Sequence, residues 1–342
     1  MSVNNTKNQH YISVAEMTVN SLNHKDPRRE RKIHVFEVED EHWLRPKPPV
    51  KIEGINYYKY LYTIGNDGNN KFYNLEDEFK KYEGKYRSAS YSMSDLAQKA
   101  VVANQSGIGL NREYLKGISD DLINLLVLKY LNHLRNPYRI SEVLSKKSEF
   151  LGFKCNMAVS SKYIEILKEY TNPSIGDICK KYSCSEKEYR DWLVVLCQLM
   201  LDTKGNRNRL EEYLVRKLSS SYPSIELYLY LYDEKYCCLL NDKAISFFEF
   251  DVDDCNSGVY VNSSCSVIYF NINKNLFARL NCYPSSKYKS GDQIDINLNA
   301  FKNDLDSFES FNHRMVRGAD TFVYCADDEF YGKGKFIEVT DD

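Results

Sequence analysis

A histidine ten residues into the chain, an aspartate at 242 and an asparagine at 312 are the side chains best suited to hydrolytic chemistry. His10 follows Gln9, and near neutral pH a histidine can act as general base, proton donor or metal ligand. The same Gln-His pair can instead hydrogen-bond buried backbone where the first strand enters the core. Asp242 follows Asn241 at the end of a strand-like run. An aspartate there either holds a divalent ion, orients a histidine, or closes an Asx-turn. Asn312 falls inside a helical stretch, where asparagine is unfavourable unless its amide finds a partner. That makes it a pocket residue facing His10 or Asp242. Asp320, at a helix-to-strand junction, reads either as a second metal ligand or as a turn residue.

Two functions accommodate this set. In the first, the protein is a metal-assisted nuclease: His10 is the general base beside Gln9, and Asp242 and Asp320 hold Mg²⁺ or Mn²⁺ against a phosphodiester. In the second, Gln9, His10, Asp242 and Asn312 form a satisfied polar network that fastens the two chain ends together. The protein then binds a partner protein or a small ligand without catalysis.

The elements that must position these residues are legible in hydrophobic periodicity. Val14, Met17 and Leu22 recur at helical spacing, and Lys32 to Val38 alternates as a strand. Pro46, Pro48 and Pro49 break regular structure and predict an extended connection. Ile55 to Tyr62 reads as a strand, and Asn74 caps a helix whose first turns carry Glu76, Asp77 and Glu78. Leu122, Leu125, Leu126, Lys129 and Tyr130 build one mostly apolar stripe that ends at Asn136-Pro137. Residues 174–186 have the outline of a helix-turn-helix. Glu186, Glu188 and Asp191 would repel phosphates there, so two packed helices with Trp192, Leu193, Val195 and Leu196 in the core are the better account. Leu227, Leu229 and Leu231 alternate with Tyr228, Tyr230 and Tyr232, and a turn at 233–235 predicts a hairpin in which 236–240 pairs back. Strands follow at 245–250, 259–261, 267–272 and 276–280, then a helix over 298–317 and a closing strand over 321–325. Strands outside a helical middle predict a single α+β domain over 1–342. Its mixed or antiparallel sheet is built from both chain ends, with 112–220 as a helical subdomain or insert.

Three strings belong together: Lys7-Asn8-Gln9-His10-Tyr11-Ile12, Leu240-Asn241-Asp242-Lys243-Ala244-Ile245, and Phe311-Asn312-His313-Arg314 leading into Ala319-Asp320-Thr321-Phe322-Val323-Tyr324. They resemble a bacterial family known only as a domain of unknown function. Its members open with Gln-His-(Tyr/Phe)-x-Pro, carry a Ser-Asp-x-Pro turn and finish on Asn…Ala-Asp-x-(Phe/Tyr)-Val-Tyr. Leu75-Glu76…Phe79…Tyr82-Glu83 fits a further element of that family. The chain departs from it at Ser13 and Ala244, which stand where the family has proline, and at Asn241, which stands for serine. The resemblance implies a fold built from both ends around a variable helical insert. It also implies a bacterial setting as a toxin or antiviral defence effector, with nucleic acid or a partner protein of the defence system as its counterpart. It implies no activity.

Composition narrows the remaining classes. Lys plus Arg (46) and Asp plus Glu (48) nearly cancel, so no global basic field points to nucleic acid, although a local patch is compatible with the balance. No apolar run approaches the ~20 residues that span a bilayer, and no export signal is visible. The 10 cysteines therefore read as reduced thiols of a cytoplasmic protein. They contain no Cys-x-x-Cys pair, which argues against structural zinc. Phosphate-loop, dinucleotide, zincin and serine-hydrolase signatures are absent. The 28 tyrosines either fill pleated sheet or, as in Tyr57-Tyr58-Lys59-Tyr60, stack on bases.

Overall fold

The alternation of leucine and tyrosine between 227 and 232 gives one strand two unlike faces, and the architecture follows from how each face is covered. The structure is a computed structural model. It describes residues 7–23, 26–27, 30–39, 44–66, 72–106, 112–146, 148, 150, 172–200, 207–221, 224–251, 264–283 and 296–328.

The N-terminal part gives β1 (Asn8–His10), α1 (Val14–Val19), β2 (Lys32–Val38), β3 (Leu44–Lys51), β4 (Tyr57–Lys59), β5 (Thr63–Asn66) and β6 (Phe72–Asn74). The middle is helical: α2 (Glu76–Ser106), α3 (Arg112–Arg135), α4 (Ile140–Val143), α5 (Ile175–Lys181), α6 (Glu186–Leu199) and α7 (Arg209–Arg216). The last third gives β7 (Ser224–Leu231), β8 (Leu240–Asn241), β9 (Ser246–Asp251), β10 (Ser264–Asn273), β11 (Leu276–Tyr283), β12 (Ile296–Lys302), α8 (Leu305–Gly318) and β13 (Phe322–Cys325).

The class is α+β, with a sheet that joins both chain ends around a helical middle. That sheet has the order β3-β2-β13-β8, so strands near residues 35 and 323 are neighbours. A second sheet, β12-β7-β11-β10-β9, is antiparallel except for its β12–β7 pair. Leu227, Leu229, Leu280 and Phe270 on one of its faces are buried in the core shared with α1 and α2. Tyr230, Tyr232 and Phe277 on the other face pack against α8.

Several elements match the sequence reading and others correct it. Asn74 does cap α2, its Oδ1 accepting from the Glu76 amide at 2.9 Å. The 174–186 region is a pair of packed helices, α5 and α6, and Trp192, Leu193, Val195 and Leu196 are buried. The proline-rich 44–51 segment is not merely a connection. It is the edge strand β3, where prolines that lack an N–H are tolerated. The strand expected over 55–62 shortens to Tyr57–Lys59, because Asn56 and Tyr60 adopt positive φ of 55° and 59°.

The helix expected from 298 begins only at Leu305, capped by Asp304; Ile296–Lys302 is a strand, as its Leu298/Asn299/Ala300 alternation permits. Residues 236–239 do not pair back on β7, whose neighbours are β11 and β12. They are held as a loop against the β10–β11 turn, with the Cys238 amide donating to Lys274 O at 2.7 Å and Asn275 Nδ2 donating to Tyr236 O at 2.7 Å. The strand expected at 259–261 lies outside the described residues.

The α1, α2 and α3 interface contains an ionic chain that is closed to solvent except at its Glu83 end, which is 19% exposed. Glu16 and Lys129 are both 0% exposed and pair directly, and Asn132 donates to the second oxygen of the same carboxylate. Asn132 Oδ1 accepts from Arg135 Nη2 at 2.8 Å, and the same guanidinium nitrogen reaches Glu83 Oε1 at 2.8 Å. Burial raises the Glu16 carboxyl and lowers the Lys129 ammonium, so each stays charged only through its partner. Removing one member leaves an uncompensated buried charge, which costs about 3–5 kcal/mol. Lys129→Met is therefore expected to lose stability of that order in urea unfolding. Adding Glu16→Gln should recover a substantial part, because the amide oxygen can still accept from Asn132. A double variant less stable than Lys129→Met would contradict the ionic account.

Candidate functional site

Gln9 and His10 lie on β1, which pairs with β4 in antiparallel register, Gln9 opposite Tyr58 and His10 opposite Tyr57. Successive side chains on a strand point to opposite faces, and here Gln9 points inward. It is fully buried: Oε1 accepts the Tyr62 amide, and Nε2 donates to Thr63 Oγ1 at 3.3 Å. His10 is half-buried, with Nε2 donating to Glu53 O at 3.3 Å and the ring tilted against Tyr57 at 5.6 Å. Ser13 caps α1 by accepting from the Ala15 amide at 3.1 Å, and its own N–H donates to Asn132 Oδ1 at 3.3 Å. A proline at 13 could make neither bond.

Asp242 follows the short β8. Its carboxylate takes three consecutive backbone N–H groups: Oδ1 accepts from Asp320 at 2.8 Å, and Oδ2 from Thr321 at 2.6 Å and Phe322 at 2.9 Å. Burial nevertheless outweighs these bonds and pushes the carboxyl up to about 6. The Asx-turn expected of Asp242 is made by its neighbour instead. Asn241 Oδ1 accepts from the Lys243 amide at 3.2 Å, and its Nδ2 donates to Met315 O at 3.3 Å. Ala244 closes the turn at φ 64°, with its N–H bonded to Asn241 O. Proline, fixed near −65°, cannot occupy that position.

The structure places Asn312 away from the partners expected of it. Its Oδ1 accepts the Leu239 amide at 3.0 Å and its Nδ2 donates to Cys237 O at 3.3 Å, so it faces the 237–239 loop. Asp320 Oδ1 lies between Arg139 Nη1 at 3.3 Å and Lys243 Nζ at 3.2 Å.

This donor set does not suit Mg²⁺ or Mn²⁺. A cation at Asp242 would displace backbone donors that have no other described partner, and at Asp320 it would meet two positive charges. Among the described residues, no three His, Cys, Asp or Glu side chains gather as a metal site.

A different set of candidates emerges on the five-stranded sheet. Its α8 side is closed where Phe311 stacks on Phe277 at 4.0 Å and Phe308 meets Tyr232 at 4.8 Å. Further along the same strands the face turns polar. Register places Asn281 opposite Glu226 and Arg279 opposite Tyr228 on one side, and Asn299 opposite Tyr228 and Phe301 opposite Tyr230 on the other. Glu226 Oε2 accepts from Tyr228 OH at 2.8 Å and Tyr283 OH at 2.7 Å, with Asn281 Nδ2 at 3.4 Å. Arg279 Nε donates to Asn281 Oδ1 at 2.8 Å, and its guanidinium lies over Tyr228 at 5.4 Å and Tyr269 at 5.9 Å. Burial, reinforced by the bond to Glu226, holds the Tyr228 hydroxyl up at about 12, so it remains a donor. Phe301, on the edge strand, stacks on Tyr230 at 5.2 Å and is 40% exposed.

The sequence reading missed this cluster because the alternation of leucine and tyrosine in β7 places the tyrosines on one face without showing which residues of β11 and β12 lie opposite them. The available signal was Arg279 and Asn281 at alternate positions of β11, on the face a buried sheet would keep apolar.

Compared with known proteins, the chain matches no family model, no curated protein and no solved structure.

The raised Asp242 carboxyl has a pH signature. Between the unfolded aspartate value of about 3.9 and a folded value of about 6, the folded state holds the extra proton. Stability from this group is therefore fully present below pH 4 and is lost as pH rises through 6. Asp242→Asn lacks this contribution and also sets an amide donor against a backbone N–H. The stability advantage of wild type over Asp242→Asn is expected to be about 2 kcal/mol larger at pH 4.5 than at pH 7.5 in paired denaturant titrations. An advantage that instead shrinks toward acid pH would mean that the three N–H bonds outweigh burial.

Proposed function

We propose that this protein is a ligand-binding module rather than a hydrolase, and that its binding surface is the polar half of the five-stranded sheet. The observation that carries this reading is the Glu226–Arg279 cluster, in which Glu226, Tyr228, Arg279 and Tyr283 are held by neighbours and by the buried Asn281 yet remain half-exposed. Groups held in place before a ligand arrives lose little rotamer freedom when it binds.

The nucleolytic alternative relies on His10 and Asp242 acting together on a metal-bound phosphodiester. Asp242 has three of its roughly four acceptor sites filled by backbone, and His10 donates to a main-chain carbonyl. Both arrangements favour a structural role. No helix among the described residues is long and apolar enough to cross a membrane. Buried thiols at Cys179, Cys197, Cys237, Cys238 and Cys325 support a cytoplasmic location. In the defence setting implied by the family resemblance, such a module would supply recognition, and a partner protein the activity.

The decisive experiment offers labelled single- and double-stranded DNA and RNA to purified protein with Mg²⁺ or Mn²⁺, with His10→Ala alongside. No cleavage is expected from either, and His10→Ala is expected to cost about 1 kcal/mol, the scale of a partly exposed hydrogen bond. Metal-dependent cleavage by wild type that disappears in a folded His10→Ala variant would overturn the proposal.

A further inference from the structure

Arg279 is held in place with its terminal nitrogens to spare. Its Nε donates to Asn281 Oδ1 at 2.8 Å and its guanidinium lies over Tyr228, while neither terminal nitrogen donates to a described residue. On its other side Arg279 pairs in register with Tyr269 of β10, whose ring centre is 5.9 Å from the guanidinium carbon. A second guanidinium meets the same ring. Phe311 of α8 stacks on Phe277, the next residue of β11 on this face, and Arg314 follows Phe311 about one helical turn later. Its guanidinium carbon lies 4.8 Å from the centre of Tyr269.

Like charges brought to one ring repel each other, and the face of the ring offsets only part of that cost. Among the described residues of β7, β10 and β11 on this face, Glu226 is the one carboxylate. Its Oε2 already accepts from Tyr228, Tyr283 and Asn281, and it forms no ion pair with Arg279 although the two are diagonal neighbours. Two guanidinium groups therefore share a half-exposed corner with one carboxylate. Glu226 Oε1, which accepts from no described residue, borders that corner.

The count and the geometry select the anion. A carboxylate has two oxygens and one charge, which a single guanidinium fork satisfies. A phosphate monoester brings three terminal oxygens and more than one negative charge, enough to engage both forks at once. A nucleic-acid strand needs a run of cations along its backbone, and this corner offers two. Glu226 disfavours a bare phosphate beside it but accepts from a hydroxyl group carried by the same ligand.

We infer that the corner between β10, β11 and α8 binds a small phosphorylated polyol, such as a sugar phosphate or a mononucleotide. Arg279 and Arg314 take its phosphate, and Glu226 Oε1 accepts from a hydroxyl. The inference rests on the binding-module reading and adds the ligand class to it.

The test is calorimetry and saturation-transfer NMR on the whole chain. The probes are ribose 5-phosphate, glucose 6-phosphate and adenosine 5′-monophosphate, with inorganic phosphate, glucose, citrate and a uridine decamer as comparators. At least one phosphorylated probe is expected to bind more tightly than inorganic phosphate. Arg279→Gln and Arg314→Gln should each weaken it about tenfold or more. Glu226→Gln should narrow its advantage over inorganic phosphate, and an unchanged advantage would overturn the hydroxyl contact. Circular dichroism and thermal midpoints of each variant separate lost binding from lost fold. If no phosphorylated probe binds at about millimolar concentration, or if binding is indifferent to both folded arginine variants, the inference fails. Glucose or citrate bound in its place, and lost in Arg279→Gln, would overturn the ligand class while leaving a binding module. Metal-dependent cleavage of the decamer would instead remove the reading beneath it.

Discussion

Three successive backbone N–H groups, at Asp320, Thr321 and Phe322, enter the last strand where its neighbour β8 is only two residues long. So short a strand cannot supply carbonyls to all of them, and the Asp242 side chain does so in its place. The four-stranded sheet depends on this contact, because β13 is the strand that joins the N-terminal β2 to the C-terminal β8. The contact is not obtained cheaply. Burial disfavours the carboxylate strongly enough to outweigh three hydrogen bonds to it. An interaction of this kind contributes less to net stability than to specifying one arrangement of backbone.

The same device recurs wherever regular pairing is too short to satisfy the main chain. β1 and β4 are three residues each, and Gln9 extends their pairing by binding the Tyr62 amide and Thr63. Asn312 serves the irregular 237–239 loop, and Asn136 donates to Asp242 O at 2.8 Å. Asn172 donates to Tyr60 O at 2.7 Å. Buried backbone groups must be paired, and a carboxamide offers donor and acceptor together. This explains why the polar residues of the terminal motifs are buried without forming one cluster: each answers a local shortage of backbone partners.

Legibility followed the range of the interactions involved. The α5–α6 pair and the Asn74 cap were readable because their determinants lie within a few residues, in an apolar period and a local side-chain bond. The strand over 296–302 was missed because the aromatic and leucine residues that follow it also satisfy a helical period. Only pairing with β7 decides between the two. Lys129 fell within an apolar stripe whose exception had no visible reason; its partner Glu16 is more than a hundred residues away. The polar type of Asp242 and Asn312 marked them as special, but the groups they bind are main-chain atoms, which leave no trace in residue identity. The Glu226–Arg279 cluster was hidden for the opposite reason. Its members are common strand residues, and only register shows that they share one face.

The degree of hydrogen-bond satisfaction separates the two kinds of polar site in this molecule. At the meeting of the chain ends, Gln9, Asp242 and Asn312 are enclosed, and their polar atoms are engaged by backbone or neighbouring side chains. Moving any of them toward a ligand would strand a buried partner, at about 1–3 kcal/mol for each group left unmatched. On the sheet, Glu226 and Arg279 use only part of their capacity on neighbours, and the remainder faces solvent. The first site is therefore internally saturated and the second is not, and helices pack behind the apolar face of the sheet that carries the second.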